Sequence, residues 1–235
     1  MARLPRIVIP NQPLHIMHRG NNHQDIFKSD DDMFRIKDDI KESLLKTQCK
    51  LHSYVIVTNH LHLLLTPSDK EQLAIFMQSM ANRYVRYFNA KYKRTGTIWE
   101  GRYKSCIVDS ENYLFTLHKY IEMNPIKADM VGNIEDYKWS SYPHNALGIK
   151  DGLITEHLLY KRLGKESSLR CKNYKSFFSE TGSEHDKDIT EATMRGIVYG
   201  KEKFHKKIAR LISRPTRLMA HGGDRKSDEY QNQAG

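Results

Sequence analysis

The 235-residue sequence predicts an α+β fold: a ferredoxin-like sandwich with a central antiparallel sheet and helices on one side, followed by a helical basic C-terminal extension. Three observations predict it. Short segments rich in β-branched and apolar residues are typical of strands, longer segments between them carry apolar residues at helical spacing, and two short segments are joined by a tight turn. The resulting order is β-α-β-β-α-β-α, in which each helix returns the chain to one sheet.

The first half of this order begins with a strand over residues 13–19, which runs into a Gly-Asn-Asn turn. A helix is predicted over about residues 31–49, with Ser29 as its N-cap and an acidic first turn that suits the helix dipole. Residues 51–67 are predicted to form two strands around the Thr58-Asn59 turn, because each half is too short for a helix.

The second half begins with a long helix over about residues 69–92, which carries a sustained apolar stripe. Ser68 and Glu71 have the spacing of a capping box and are expected to start it. A strand over residues 102–108 follows, and then a helix from residue 110 that should end before the proline at position 125.

Length and composition divide the chain into one principal domain over residues 1–147, a helical basic extension over 148–214 and a disordered tail over 215–235. We expect one amphipathic helix near residues 191–212 in the extension. The tail is polar and rich in glycine, which predicts that it has no packed structure.

Charge points to a polyanionic partner. The chain has 38 Lys and Arg against 28 Asp and Glu, a formal net charge of +10 and a pI of about 9.4. No apolar run approaches the roughly 20 residues that span a bilayer, and the N-terminal residues lack the pattern of a secretory signal. Nucleic acid in the cytoplasm is therefore the expected partner, and a membrane is not.

His60 and His62 are the first candidate for chemistry. Side chains alternate along a strand, so both imidazoles project from one face while Leu61 and Leu63 project from the other. Two imidazoles on a rigid strand form half of a metal site, although a pair of surface histidines has the same pattern. A structural zinc site is not expected, because no cysteine or histidine partners stand at zinc spacing.

Tyr120 and Asn124 are the second candidate. They are four residues apart on a predicted helix and therefore lie on one side of it, about one turn apart. Tyrosine can act as a covalent nucleophile. A half-buried packing role is the alternative, since the chain has 13 tyrosines.

A basic and aromatic segment supplies the candidates for contact with nucleic acid, because cations can meet phosphates while rings stack on unpaired bases. A solvated basic helix face and loop is the alternative. The candidates are Arg83, Arg86, Lys91, Lys93, Arg94, Trp99, Arg102, Tyr103 and Lys104, together with Arg19 of the first strand. We expect His15, His18 and His23 to be structural, because residues three apart on a strand fall on opposite faces.

Four segments in order resemble the REP-associated tyrosine transposases, which belong to the HUH class of single-strand transposases. They are HRGNN (18–22), YVIVTNHLHLLL (54–65), GTIWEGRYKS (96–105) and LHKYIEMNPIKADMV (117–131). The resemblance covers about residues 10–145 and implies a ferredoxin-like catalytic domain. Thr58 stands where relatives most often have a proline before the asparagine of the histidine motif.

The resemblance implies that His60 and His62 are metal ligands, that Asn124 is a third, amide-type ligand, and that Tyr120 is the nucleophile. The ion would be Mg²⁺ or Mn²⁺, the intermediate a 5′-phosphotyrosine link, and the substrate single-stranded DNA with a hairpin such as a REP palindrome. The protein would work as a monomer or homodimer in the cytoplasm, at the nucleoid.

Two other functions fit the same segments. A hairpin-binding regulator whose catalytic site has decayed would keep the basic surface and lose cleavage. A replication or mobilisation initiator would use the same two histidines and tyrosine, although such proteins usually carry a helicase or oligomerisation domain for which this chain is too short.

Overall fold

The structure is a computed structural model that describes residues 6–179, 184–212 and 215–217. Most of the tail predicted over 215–235 lies outside the described residues. The strands are β1 (Leu14–Arg19), β2 (Lys50–Val57), β3 (His60–Thr66), β4 (Lys104–Val108) and β5 (Val198–Tyr199). The helices are α1 (Asp30–Lys46), α2 (Lys70–Lys91), α3 (Ser110–Glu122), α4 (Asn124–Lys127), α5 (Tyr142–Leu147), α6 (Leu158–Lys161), α7 (Ser167–Ser179), α8 (Asp186–Arg195) and α9 (Glu202–Ala209).

The predicted α+β class is confirmed. The strands form one sheet in the order β2-β3-β1-β4-β5, whose first four members are antiparallel neighbours in the arrangement expected of a ferredoxin-like sandwich. The sheet is mixed rather than purely antiparallel, because β5 pairs with β4 in parallel. This short fifth strand lies far along the chain and was not predicted.

Helix starts follow local capping chemistry. Ser29 and Asp32 form a reciprocal capping box at the start of α1, as the position of Ser29 predicts. The predicted cap of α2 is one residue out: Asp69, not Ser68, accepts a hydrogen bond from the backbone N–H of Gln72. The carboxylate satisfies a backbone donor that would otherwise have no partner at the helix end.

One face of the sheet carries His15, His60 and His62, and we call it the histidine face. The register sets this face, because Met17 of β1 pairs with His62 of β3 and paired residues project to the same side. Helices α3 and α8 cover it: Tyr120 of α3 lies edge-on to His62. The prediction that helices lie on one side is therefore incomplete.

The opposite face packs on α1 and α2. His18 projects from β1 to this side and stacks on Trp99 with ring centroids 4.1 Å apart, and the Trp99 indole donates to the carbonyl oxygen of Ala81 in α2. Leu61 and Leu63, which alternate with the two histidines of β3, are fully buried in the same core. Burial of this face provides the main hydrophobic stabilisation of the sheet.

The boundary predicted at residue 147 does not separate two bodies, because β5 and α8 beyond it join the sheet and its histidine face. The single helix predicted over 191–212 is also wrong. Gly196 adopts a left-handed conformation (φ 67°) that ends α8, and the chain then pairs Val198 with Ile107 of β4 before α9 begins. Among the described helices, none is both long and apolar enough to cross a membrane.

Buried neutral histidines outside the candidate site predict acid sensitivity. Burial is the largest cause that lowers the pKa of His18 and of His52 to about 4, well below the 6.5 of an exposed ring. Unfolding between these values takes up protons, so stability is present above pH 6.5 and falls as the pH falls towards 4, by up to ~1.4 kcal/mol per pH unit for each ring. Urea unfolding at pH 7, 6 and 5 measures this slope.

His52→Gln should flatten the slope of unfolding free energy against pH, because the amide can keep a hydrogen bond to Thr66 or Thr155 but does not titrate. The same variant measured at pH 7 to 8 is the control, since histidine contributes no slope there. An unchanged slope below pH 6.5 would contradict the account.

Candidate active site

His60 and His62 lie on β3, which is paired on both edges, by β2 and β1. Their ring centroids are 4.9 Å apart and the ring planes are nearly perpendicular, at 84°. His62 is only 2% exposed, and His60 is half-buried at the end of the strand. Strand alternation thus places the two imidazoles side by side on the histidine face, as the H-x-H spacing predicts.

The hydrogen bonds of His60 fix which nitrogen carries its proton. Its Nδ1 is 2.6 Å from the Oδ1 of Asn59, whose amide nitrogen donates to the backbone carbonyl oxygen of His23. An amide oxygen can only accept, so the Nδ1 of His60 is the donor and its Nε2 keeps a lone pair. Sequence reasoning did not assign this role to Asn59.

His62 has a histidine partner of its own. Its Nδ1 is 2.8 Å from the Nε2 of His15, the two rings are stacked, and the Nδ1 of His15 is 2.8 Å from the hydroxyl of Thr193 in α8. The prediction that His15 is only structural compared it with His18 on the same strand. The partner of His15 is His62, which lies on β3 rather than on β1. Predicting that β1 pairs with β3 would have identified this partner.

All three imidazoles of the histidine face are held neutral. Burial is the largest cause in each case: it lowers the pKa of His60 to about 4 and of His15 to about 3, and takes that of His62 well below its usual value. The Asn124 side chain, which can accept a hydrogen bond from the protonated ring, raises the pKa of His60 against this effect, and the charge of Arg19 lowers it further. Neutral imidazole is the form that offers a lone pair to a metal ion.

Asn124 lies at the junction of α3 and α4, beside His60. Its amide nitrogen donates to the backbone oxygens of Tyr120 (2.7 Å) and Ile121 (3.2 Å), so its Oδ1 is the group left for the site. In the neutral ring the remaining nitrogen of His60 and the Asn124 oxygen are both acceptors, and a cation between them would satisfy both. Helix α3 ends at Glu122, before the proline at position 125 as predicted, and this proline lies in the first turn of α4.

The donor set therefore fits a divalent ion bound by nitrogen and oxygen. His62 and Asn124 both lie beside His60, and two imidazole nitrogens with an amide oxygen and no thiolate are a donor set that can hold such an ion. Within the described residues, no three His, Cys, Asp or Glu side chains form a group that could hold a metal.

Tyr120 completes the cluster. Its ring lies edge-on to His62 at 5.7 Å and to His15 at 5.4 Å. Its hydroxyl is 3.0 Å from that of Thr190 in α8, which itself donates to a backbone carbonyl oxygen, so the phenol is the donor to Thr190. Burial raises the pKa of Tyr120 above its ordinary value, and the resting side chain is a neutral phenol.

Lys127 brings positive charge to the tyrosine. Its ammonium lies 4.6 Å from the centroid of the Tyr120 ring and forms an ion pair of 2.6 Å with Asp186, the first residue of α8. This ion pair and the hydroxyl of Thr190 tie the α3–α4 segment to α8. One chain therefore brings together Tyr120, His60, His62 and Asn124.

The predicted nucleic-acid contacts do not lie on one surface. Arg83 and Lys91 belong to α2, on the side of the sheet opposite the histidine face, and each forms an ion pair of 2.9 Å with a buried carboxylate, Asp39 and Asp32 respectively. These two side chains therefore have structural partners. Arg94, just after α2, donates to Gln24 at 3.2 Å.

The other predicted nucleic-acid contacts lie on the histidine face or are exposed to solvent. Arg19 pairs with His60 in the register of β1 and β3 and holds Glu100 at 2.6 Å. Lys104 pairs with Met17 and therefore projects to the histidine face. Arg86, Lys93 and Arg102 are exposed, and the ring of Tyr103 is half-buried beneath the guanidinium of Arg6 at 3.6 Å.

The prediction that Trp99 contacts nucleic acid is wrong. The Trp99 side chain is 4% exposed, and its ring stacks on His18 and packs against Phe27 and Tyr84. Its indole nitrogen is occupied by a backbone oxygen of α2. The ring belongs to the core between the sheet and α2.

The family model for IS200-like transposases matches residues 9–124. Residues 9–124 form an IS200-like transposase domain. All three proposed metal ligands and Tyr120 lie within this domain, whereas Thr190 and Thr193 lie beyond its end. No curated protein matches the sequence significantly.

Among solved structures, this chain is similar to a REP-associated tyrosine transposase bound to a REP hairpin, with a TM-score of 0.53, 15% identity and coverage of 67% of this chain and 93% of that chain. A protein from Deinococcus radiodurans assigned as a transposase has a TM-score of 0.36 and 16% identity over 52% of this chain and 96% of that chain. A bacterial tRNA(His) guanylyltransferase-like protein in complex with GTP has a TM-score of 0.37 and 12% identity over 56% and 72%. The first similarity supports the fold, and the other two are too weak to carry an argument.

Trp99→Ala tests the corrected role of this residue. Loss of a buried aromatic ring should lower the free energy of unfolding by about 3–5 kcal/mol, as measured by urea denaturation. Arg102→Ala is the matched control from the same basic segment, because an exposed side chain should change stability by no more than about 0.5 kcal/mol. Equal stability of the two variants would show that the Trp99 ring is not part of the core.

Proposed function

We propose that this transposase domain cleaves single-stranded DNA beside hairpins and transfers the strand, through a covalent 5′-phosphotyrosine link to Tyr120. The observation that carries the proposal is the edge-on contact of Tyr120 with His62, 5.7 Å between ring centroids, beside a three-donor site within one chain. A nucleophile and a set of metal donors thus share the histidine face. Membership of the IS200-like family supports the same chemistry.

His60, His62 and Asn124 would hold a divalent ion, Mg²⁺ or Mn²⁺. When bound, it would supply positive charge that polarises a non-bridging oxygen of the scissile phosphate and would offset the charge of the transition state. The protein's own contribution is rigidity: β3 is paired on both edges, and Asn59 and His15 hold the two rings by their Nδ1 atoms.

Tyr120 attacks the phosphorus after its hydroxyl turns away from Thr190. The phenolic oxygen gives up its proton to water and forms the new P–O bond, while the bond to the 3′ oxygen of the preceding nucleotide breaks. That oxygen takes a proton from water and leaves as a free 3′-hydroxyl. The ammonium of Lys127, 4.6 Å from the ring centroid, would stabilise negative charge on the phenolic oxygen. A 3′-hydroxyl of another strand then attacks the phosphotyrosine, which rejoins DNA and releases Tyr120.

Hairpin DNA is the proposed partner. The structure at TM-score 0.53 is that of a transposase bound to a REP hairpin, and this chain carries a formal net charge of +10. Arg19 and Lys104 project to the histidine face, where they would meet backbone phosphates near the scissile bond. Because Tyr120 and the metal donors come from one chain, we propose that a monomer suffices for cleavage. The enzyme would act in the cytoplasm, at the nucleoid.

The alternatives are less well supported. A decayed hairpin-binding regulator would have no need of a tyrosine and three metal donors at one point, and these residues are intact. An initiator of replication or mobilisation would use the same groups, and nothing in the described residues favours it over a transposase.

Tyr120→Phe should abolish cleavage and the covalent adduct while DNA binding stays unchanged, because only the attacking oxygen is removed. The measurement uses hairpin oligonucleotides with Mn²⁺ and a label on the 3′ side of the cut, whose transfer to protein is seen on a denaturing gel. Tyr113→Phe is the matched control, since Tyr113 is also on α3 but packs against Tyr199 and His185 rather than against His60 and His62. The proposal would be contradicted if Tyr120→Phe formed the adduct, or if the parent formed none with a broad set of oligonucleotides.

A further inference from the structure

We infer that His15 and Thr193 act as positioning residues that fix the tautomer of His62, so that its Nε2 is the nitrogen offered to the ion. This inference rests on the proposed function for the identity of the ion, but the tautomer itself can be measured without any metal. It assigns a role to α8, which lies beyond the matched transposase domain.

Four groups form a hydrogen-bonded relay that runs from α8 to β3: the Ile189 carbonyl, the Thr193 hydroxyl, and the rings of His15 and His62. The hydroxyl of Thr193 is 2.7 Å from the backbone oxygen of Ile189, and it is also 2.8 Å from the Nδ1 of His15. The Nε2 of His15 is in turn 2.8 Å from the Nδ1 of His62. Each contact has the length of a normal hydrogen bond.

The Ile189 carbonyl, at one end of the relay, sets the direction in which the hydrogen bonds are donated. The oxygen of Ile189 can only accept, so the single hydroxyl hydrogen of Thr193 points to it, and the Thr193 oxygen must accept from the Nδ1–H of His15. A neutral imidazole has one N–H, so the Nε2 of His15 accepts from the Nδ1–H of His62. The Nε2 of His62 is left with its lone pair.

A cysteine reinforces this direction. The Sγ of Cys106 is 3.3 Å from the same Thr193 oxygen, and its thiol can donate to the second lone pair of the hydroxyl. Thr193 then makes one donated and two accepted hydrogen bonds. No hydrogen of the hydroxyl remains for the His15 ring.

Burial prevents the hydrogen bonds of the relay from reversing their direction of donation. His15, Thr193 and His62 are 0%, 1% and 2% exposed, so solvent does not supply an alternative partner. In the reversed relay the Thr193 hydroxyl would turn from the Ile189 carbonyl, which would leave two buried acceptors facing each other, and the Nε2 of His62 would carry a hydrogen. The ring could then not bind an ion through that atom.

Long-range ¹H–¹⁵N NMR of the metal-free protein at pH 7.5 reads the tautomers directly. The parent should show His62 with hydrogen on Nδ1 and a lone pair on Nε2. Thr193→Val keeps the side-chain shape and removes the hydroxyl, so a second His62 tautomer should appear and the Kd for Mn²⁺, measured by calorimetry, should rise about 10- to 100-fold. Thr193→Ser should restore both readouts to the parent values.

Thr190→Val is the matched control, because Thr190 is on the same helix but its hydroxyl meets Tyr120 rather than a histidine. Its His62 signals and its Kd for Mn²⁺ should equal those of the parent. Hydrogen on the Nε2 of His62 in the parent overturns the inference whatever the variants do, as does an unchanged tautomer and Kd in Thr193→Val. A parent with the expected tautomer that binds no Mn²⁺ supports the positioning role and contradicts the proposed metal chemistry.

Discussion

Side-chain alternation along β3 is the constraint on which the candidate site depends. The strand is paired on both edges, and Leu61 and Leu63 are fully buried on the face opposite His60 and His62. A slip of one residue would exchange the two sets, moving both imidazoles into the apolar core and two leucines to the site. Hydrophobic burial of the leucines therefore holds the histidines in place, with no contribution from a metal.

Two segments that are distant in the sequence close the histidine face. Tyr120 and Asn124 come from the α3–α4 segment, while Thr190 and Thr193 come from α8, and the ion pair of Lys127 with Asp186 joins the two segments. Because α8 touches the proposed nucleophile and the partner of a proposed metal ligand, the C-terminal extension is part of the candidate site.

Local patterns predicted the part of the site that local geometry determines. Period-two alternation placed His60 and His62 on one face, and helical spacing placed Tyr120 beside Asn124. Contacts between distant segments were out of reach: Thr193 meets His15 across 178 positions of the chain, and no pattern near either residue indicates it. The prediction that Trp99 stacks on a base was wrong for another reason. An aromatic ring in a basic segment can stack equally well on a base or on a protein side chain, and here it stacks on His18.

The most direct test of the site is the position of a bound ion. A crystal of the protein soaked in Mn²⁺ should give one anomalous peak about 2.0–2.3 Å from the Nε2 atoms of His60 and His62 and from the Oδ1 of Asn124. The account predicts that each ligating imidazole keeps its Nδ1 contact, to Asn59 and His15 respectively. A peak at another place, or ligation through Nδ1, would contradict it.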